Sequence, residues 1–139
     1  MHRAPLLQLV ESYKIKYLAE TETVSKYKDF VIANENCFER SLLEGHITCG
    51  AWILDGSGTK TLLTHHRKLN RWLQLGGHAD GDHDVHRVAA KEAQEESGIS
   101  TLELVSKDIF DIDIHQIPPR GDVPAHFHYD ARFLFRTTD

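Results

Sequence analysis

The stretch Gly76-Gly77-His78-Ala79-Asp80-Gly81-Asp82-His83-Asp84-Val85-His86-Arg87-Val88-Ala89-Ala90-Lys91-Glu92-Ala93-Gln94-Glu95-Glu96-Ser97-Gly98-Ile99 decides how the chain is read. A glycine-rich, turn-forming loop leads into a run of helix formers. Asp82 or Asp84 is suited to cap the start of the helix, and Gly98 with Ile99 to stop its end. On that helix Glu92 lies three and four residues before Glu95 and Glu96, so the three carboxylates share one face. Val85, Val88 and Ala89 precede them on the same face, while Arg87, Lys91 and Gln94 turn away. The carboxylates therefore continue a stripe expected to point inward.

That arrangement is costly without a partner. Two carboxylates about 5.5 Å apart repel by roughly 3 kcal/mol at an effective dielectric near 20, and burial adds desolvation. Lys91 stands four residues before Glu95 and can pair with it, but one surface pair offsets at most about 1 kcal/mol. A hard divalent cation, which takes oxygen ligands, would neutralise the cluster. The alternative is a solvated acidic helix end; the apolar stripe above the glutamates and the glycine loop before them favour the metal site.

The same residues resemble the Nudix box, G-x5-E-x7-R-E-U-x-E-E-x-G-U with U aliphatic. Gly77 stands at the opening glycine, and Glu92, Ala93, Glu95, Glu96, Gly98 and Ile99 follow in register. Two positions depart from the pattern: His83 stands where it has its first glutamate, and Lys91 where it has arginine. The resemblance implies a Nudix-like α/β/α sandwich with a mixed sheet. It also implies a metal-dependent hydrolase that cleaves the diphosphate linkage of a nucleoside diphosphate joined to another moiety. Glu92, Glu95 and Glu96 would hold Mg2+ or Mn2+ and act in catalysis, one of them taking the proton of the attacking water. The main-chain carbonyl of Gly76 is an added candidate ligand, because glycine lets the backbone approach an ion closely. In the family the first glutamate and the arginine brace the helix, and a His-Lys pair does not form that salt bridge. Asp82 and Asp84 flank His83, and either can substitute after a small shift of register. A catalytically weakened Nudix-fold module that binds a nucleotide, or regulates, without cleaving it is therefore the rival reading.

A chain of 139 residues is expected to form one domain, 1–139, with a helical extension over 1–40 and a core over 45–136 that carries the box. Hydrophobic residues at 40% and charged residues at 27% are ordinary for a soluble globular chain. A net charge of -5 argues against a general nucleic-acid surface or an anionic membrane surface, so neither polymer nor membrane is expected as a partner. It leaves a small nucleotide substrate open, since a bound cation reverses the local field. Cys37 and Cys49 lack the spacing of a metal site and read as reduced thiols, in keeping with a cytoplasmic protein.

Helical spacing of apolar residues predicts helices over 5–18, with Leu6, Leu9, Val10, Tyr13 and Tyr17, and over 22–33, with Val24, Tyr27, Phe30 and Val31 inward. Strands are predicted over 47–54, 59–65, 72–75, 102–105, 109–117 and 126–136, with a hairpin turn at 55–58. The last strand alternates: Tyr129, Ala131, Phe133 and Phe135 on one side, His126, His128, Asp130, Arg132 and Leu134 on the other. The sequence stops at Asp139, before the loop, strand and helix that usually follow in the family, so a C-terminal layer is expected to be missing. The N-terminal helices or a partner subunit, as in a homodimer, would be its replacement, or the sequence is a shortened form of a longer chain.

Arg67, Arg71 and His128 are the candidate substrate-binding residues, with His65, His66 and Lys68 in the same basic connection as the arginines. His126 and His128, with His115 on a neighbouring strand, line a polar face; a second metal site there is the less favoured reading. Trp72 is suited to stacking on a base, but a place in a short strand feeding the core favours packing.

Overall fold

The computed structural model describes residues 2–67 and 70–138; Lys68, one of the candidate phosphate contacts, lies outside them. Helix α1 (Ala4–Lys16) has proline in its first turn and buries Leu6, Val10 and Tyr13. A single 3-10 turn, Leu18–Glu20, leads into α2 (Thr21–Ala33), which buries Val24, Tyr27 and Val31. Both helices follow the apolar spacing in the sequence.

The sheet is built around two long strands, β1 (Gly45–Leu54) and β8 (His126–Thr137), which run parallel from the Gly45–Phe127 pair to the Leu54–Arg136 pair. Strands β2 (Thr61–Leu62) and β5 (Leu75–His78) share the outer edge of β1, and β6 (Leu102–Leu104) and β7 (Asp111–Ile117) share the outer edge of β8, all antiparallel. One parallel pair among antiparallel ones makes a mixed six-stranded sheet. With three helices, α3 (Val85–Ser97) being the last, the fold is the mixed α/β arrangement expected.

Two strand predictions need correction. The 59–65 strand is interrupted: Thr61–Leu62 pairs with β1, but β3 (Thr64–His66) pairs with β4 (Arg71–Leu73) in a separate two-stranded ribbon. The predicted 72–75 strand is likewise divided between β4 and β5. The cause is competition for one edge. β5 occupies β1 from Thr48 to Ala51, so the hairpin return holds that edge only at Ile53 and Leu54 and then peels away.

Pairing register fixes the two faces of the sheet. Ile47, Cys49, Ala51 and Ile53 lie beside Tyr129, Ala131, Phe133 and Phe135 on one face. All eight except Tyr129 are buried. His46, Thr48 and Gly50 lie beside His128, Asp130 and Arg132 on the other. α2 seats on the apolar face, where Phe30 stacks on Tyr129 with ring centroids 3.7 Å apart and Tyr27 meets the same ring edge-on. α3 adds Val85, Val88, Ala89 and Ala93 to that core, and α1 adds Leu6, Val10 and Tyr13. The three helices thus form one layer on the apolar face. The N-terminal pair stands beside α3 on that face of the sheet. Cys37 and Cys49 are free and buried, as expected of thiols; burial pushes the Cys37 pKa up to about 11.

Candidate functional site

The glycine loop descends from β5 and turns sharply through Asp80 and Gly81, with φ of 48° and 85° in the left-handed region. Two contacts anchor the turn. Arg40 donates from Nε and one Nη to the two Asp80 carboxylate oxygens at 2.9 and 2.7 Å, and the Gly81 N–H reaches the Phe38 carbonyl. α3 then starts at Val85 and ends at Gly98, whose φ of 72° and N–H to the Gln94 carbonyl make the expected glycine stop. The start differs from expectation. Asp84 occupies the capping position but makes no side-chain cap; its carboxylate takes the His86 ring instead. Asp82 accepts the Asp84 N–H and two hydrogen bonds from Arg87. Both aspartates are thus committed locally, not free to stand in for a missing glutamate.

Glu92, Glu95 and Glu96 share the face of α3 that meets β5. Glu92 is half-buried, whereas Glu95 and Glu96 are exposed, so only the first of the three is inward in the sense expected. The surface beneath them is Gly76 and Gly77, which has no side chains to cover them. The absence of a side chain on Gly77 is what lets the Glu92 carboxylate approach: a Cβ there would stand 2.6 Å from the Glu92 carboxyl carbon and 2.7 Å from one of its oxygens. Burial raises the Glu92 pKa above its ordinary value, and Glu95 adds to it. Partial burial of its carboxyl likewise raises Glu96, opposed by the Gly76 N–H and reinforced by Glu92 and Glu95. Hard oxygen donors crowded against bare backbone are a donor set that suits a divalent cation.

The bracing residues behave otherwise. Lys91 is exposed and, among the described residues, forms no ion pair with Glu95. His83 lies against the rings of His2 and Phe38, at centroid distances of 5.9 and 6.4 Å. Arg67 and Arg71 are exposed at the β3–β4 ribbon, and no described contact joins them to His128 or to the glutamates. Trp72 corrects the packing expectation: it is 67% exposed, with its ring 5.1 Å from that of His65. The ribbon holding it stands off the main sheet, which is why no core receives it.

His128 belongs to a different assembly, on the polar face. The rings of His46, His78, His126 and His128 approach one another at centroid distances of 4.9–5.1 Å, and His115 stands 5.5 Å from His128. His115 pairs with His128 across β7 and β8, as expected. Burial lowers the pKa of His46, holds His78 at about 4 with help from Arg40, and holds His128 at about 3 with help from His78. Sequence reasoning missed His46 and His78. They enter from two other strands, and no spacing along the chain announces them. Beside this group Arg132 donates to Asp130, Asp111 and Asp113 at 2.9, 2.8 and 3.3 Å, and Asp130 also accepts from Thr48 and Gln74.

A solved structure of the C. elegans Ap4A hydrolase aligns with 67% of this chain and 68% of its own, with a TM-score of 0.48 and 18% sequence identity. No family model matches the chain, and no curated protein matches it.

Proposed function

We propose that this chain is a divalent-cation-dependent hydrolase that cleaves a diphosphate linkage in a nucleotide derivative, at the face of α3 over Gly76 and Gly77. The observation that supports it is the Glu92 carboxylate lying where a side chain on Gly77 would stand. Such a contact requires glycine, and it delivers a partly desolvated acid to the end of the loop. Glu92, Glu95 and Glu96, with the Gly76 carbonyl, would hold Mg2+ or Mn2+. A bound cation of this kind neutralises the pyrophosphate and lowers the pKa of the attacking water. Glu92, half-buried against the backbone of Gly77, would be the anchoring ligand. Glu96, exposed yet raised in pKa, would take a proton at its carboxylate from the attacking water.

The test is a panel of nucleoside triphosphates, nucleotide sugars and dinucleotides incubated with the protein in Mg2+ or Mn2+. Glu95→Gln and Glu96→Gln are expected to lower turnover by about 10²–10⁴. A panel in which no compound is turned over faster than by these variants would sink the hydrolase reading. A second reading has its own support. His83 packs on Phe38 and His2, Lys91 makes no ion pair among the described residues, and so the helix lacks there the brace that the box resemblance implies. A module that binds a nucleotide without cleaving it would show tight, metal-independent binding in calorimetry and no turnover.

A further inference from the structure

The polar face of the sheet carries a set of nitrogen ligands that the hydrolase reading leaves unused. We propose that His46, His78 and His128 form a transition-metal site, with Zn2+ the natural occupant. The three side chains come from β1, β5 and β8, and pairing register puts them on one face: His46 opposite His128, and Thr48, two residues on from His46, opposite His78. One ring nitrogen from each lies within 4.8 Å of the others. In a tetrahedral site with bonds of about 2.0–2.1 Å the nitrogens sit about 3.3 Å apart, so modest side-chain rotation closes the triad on an ion. The donors are imidazoles, which suit zinc and its neighbours, not magnesium.

The buried hydrogen bonds point the same way. His46 is 4% exposed, and its Nδ1 donates a long 3.4 Å bond to the Leu42 carbonyl. Its Nε2 is thereby the lone-pair nitrogen, and it is buried with no hydrogen-bond partner among the described residues. Native folds seldom leave such an atom unsatisfied unless something else occupies it. His126 supports the neighbouring ligand. Its Nδ1 donates to the Pro124 carbonyl 2.9 Å away, so the Nε2 of the neutral ring is an acceptor. The His128 Nε2, 3.2 Å away, is then the donor, leaving the His128 Nδ1 free for an ion. A ligand imidazole that donates its other N–H to a carbonyl or a further acceptor is the usual support around protein metals. His115, held to Asp113 at 2.8 Å, closes the side of the group beyond His128. The site lies across the sheet from Glu92: Gly77, which Glu92 touches, and His78 are adjacent on β5 and face opposite ways.

The experiment uses the full chain stripped of metal and titrated with Zn2+ against a chromophoric chelator, and separately with Co2+. One equivalent should bind, and Co2+ should give the visible absorption of a four-coordinate nitrogen site. His78→Ala and His128→Ala should each weaken Zn2+ binding at least about a hundredfold, beyond what outer partners usually cost, while Glu95→Gln leaves it unchanged. Because a histidine variant can misfold, imidazole nitrogen NMR on the wild-type chain gives a second readout. Zn2+ should shift the ring nitrogens of His46, His78 and His128. No stoichiometric binding, unshifted ring nitrogens, or binding lost in Glu95→Gln and kept in His78→Ala would overturn the site. None of these readings depends on hydrolysis.

Discussion

At the scale of the residue, two adjacent glycines do different things. A methyl group on Gly77 meets the far end of the Glu92 side chain, which can swing aside. Gly77→Ala is therefore expected to leave the unfolding midpoint nearly unchanged while lowering metal-dependent turnover about 10²-fold, the cost of a misplaced catalytic group. Gly76→Ala places its methyl 2.6 Å from the Cys49 carbonyl oxygen and 2.9 Å from the Gly50 Cα, both backbone. It should destabilise the fold by about 1–3 kcal/mol, measured by denaturant unfolding. The glutamates and the glycine stop were legible because helical periodicity is written in consecutive residues. The shallow burial of Glu95 and Glu96 was not, because it depends on what lies under the helix.

At the scale of the element, the β1–β2 hairpin is held by Asp55. Its carboxylate accepts from the Ser57 hydroxyl and from the Thr59 and Lys60 N–H groups at 2.9, 3.0 and 3.2 Å. The Ser57 hydroxyl, aided by the N–H groups, holds the Asp55 pKa below its ordinary value of 3.8. A depressed carboxyl stabilises the fold above its unfolded value, and that contribution is lost as pH falls through the folded value. Asp55→Ala should thus be less stable than wild type at pH 7, and thermal unfolding should show the gap closing once the pH falls below 3.8. Turn chemistry made this hairpin readable, and apolar spacing did the same for α1 and α2. The division of the 59–65 strand escaped because it follows from β5, which comes later in the chain, taking the edge first.

At the scale of the whole molecule, one face of the sheet is held by packing and the other by charge. Phe133 is fully buried under the helices, and Phe133→Ala should cost about 3–5 kcal/mol. Arg132 bridges Asp111, Asp113 and Asp130 on the polar face, and Arg132→Leu should cost a similar roughly 3–5 kcal/mol by leaving uncompensated charge. Denaturant unfolding of the two variants beside the wild-type chain measures both losses. Period-two alternation along 126–136 already assigned Phe133 and Arg132 to opposite faces, and the carboxylate face of α3, the buried thiols and the mixed α/β class were equally present in local pattern. What only the tertiary structure decided is which layer the N-terminal helices join, that Trp72 stays in solvent, and that His46 and His78 meet His128. Local pattern records which way a side chain leaves its own strand or helix; it carries no record of which distant strand will be hydrogen-bonded alongside, and both the layer and the histidine cluster are set by that pairing.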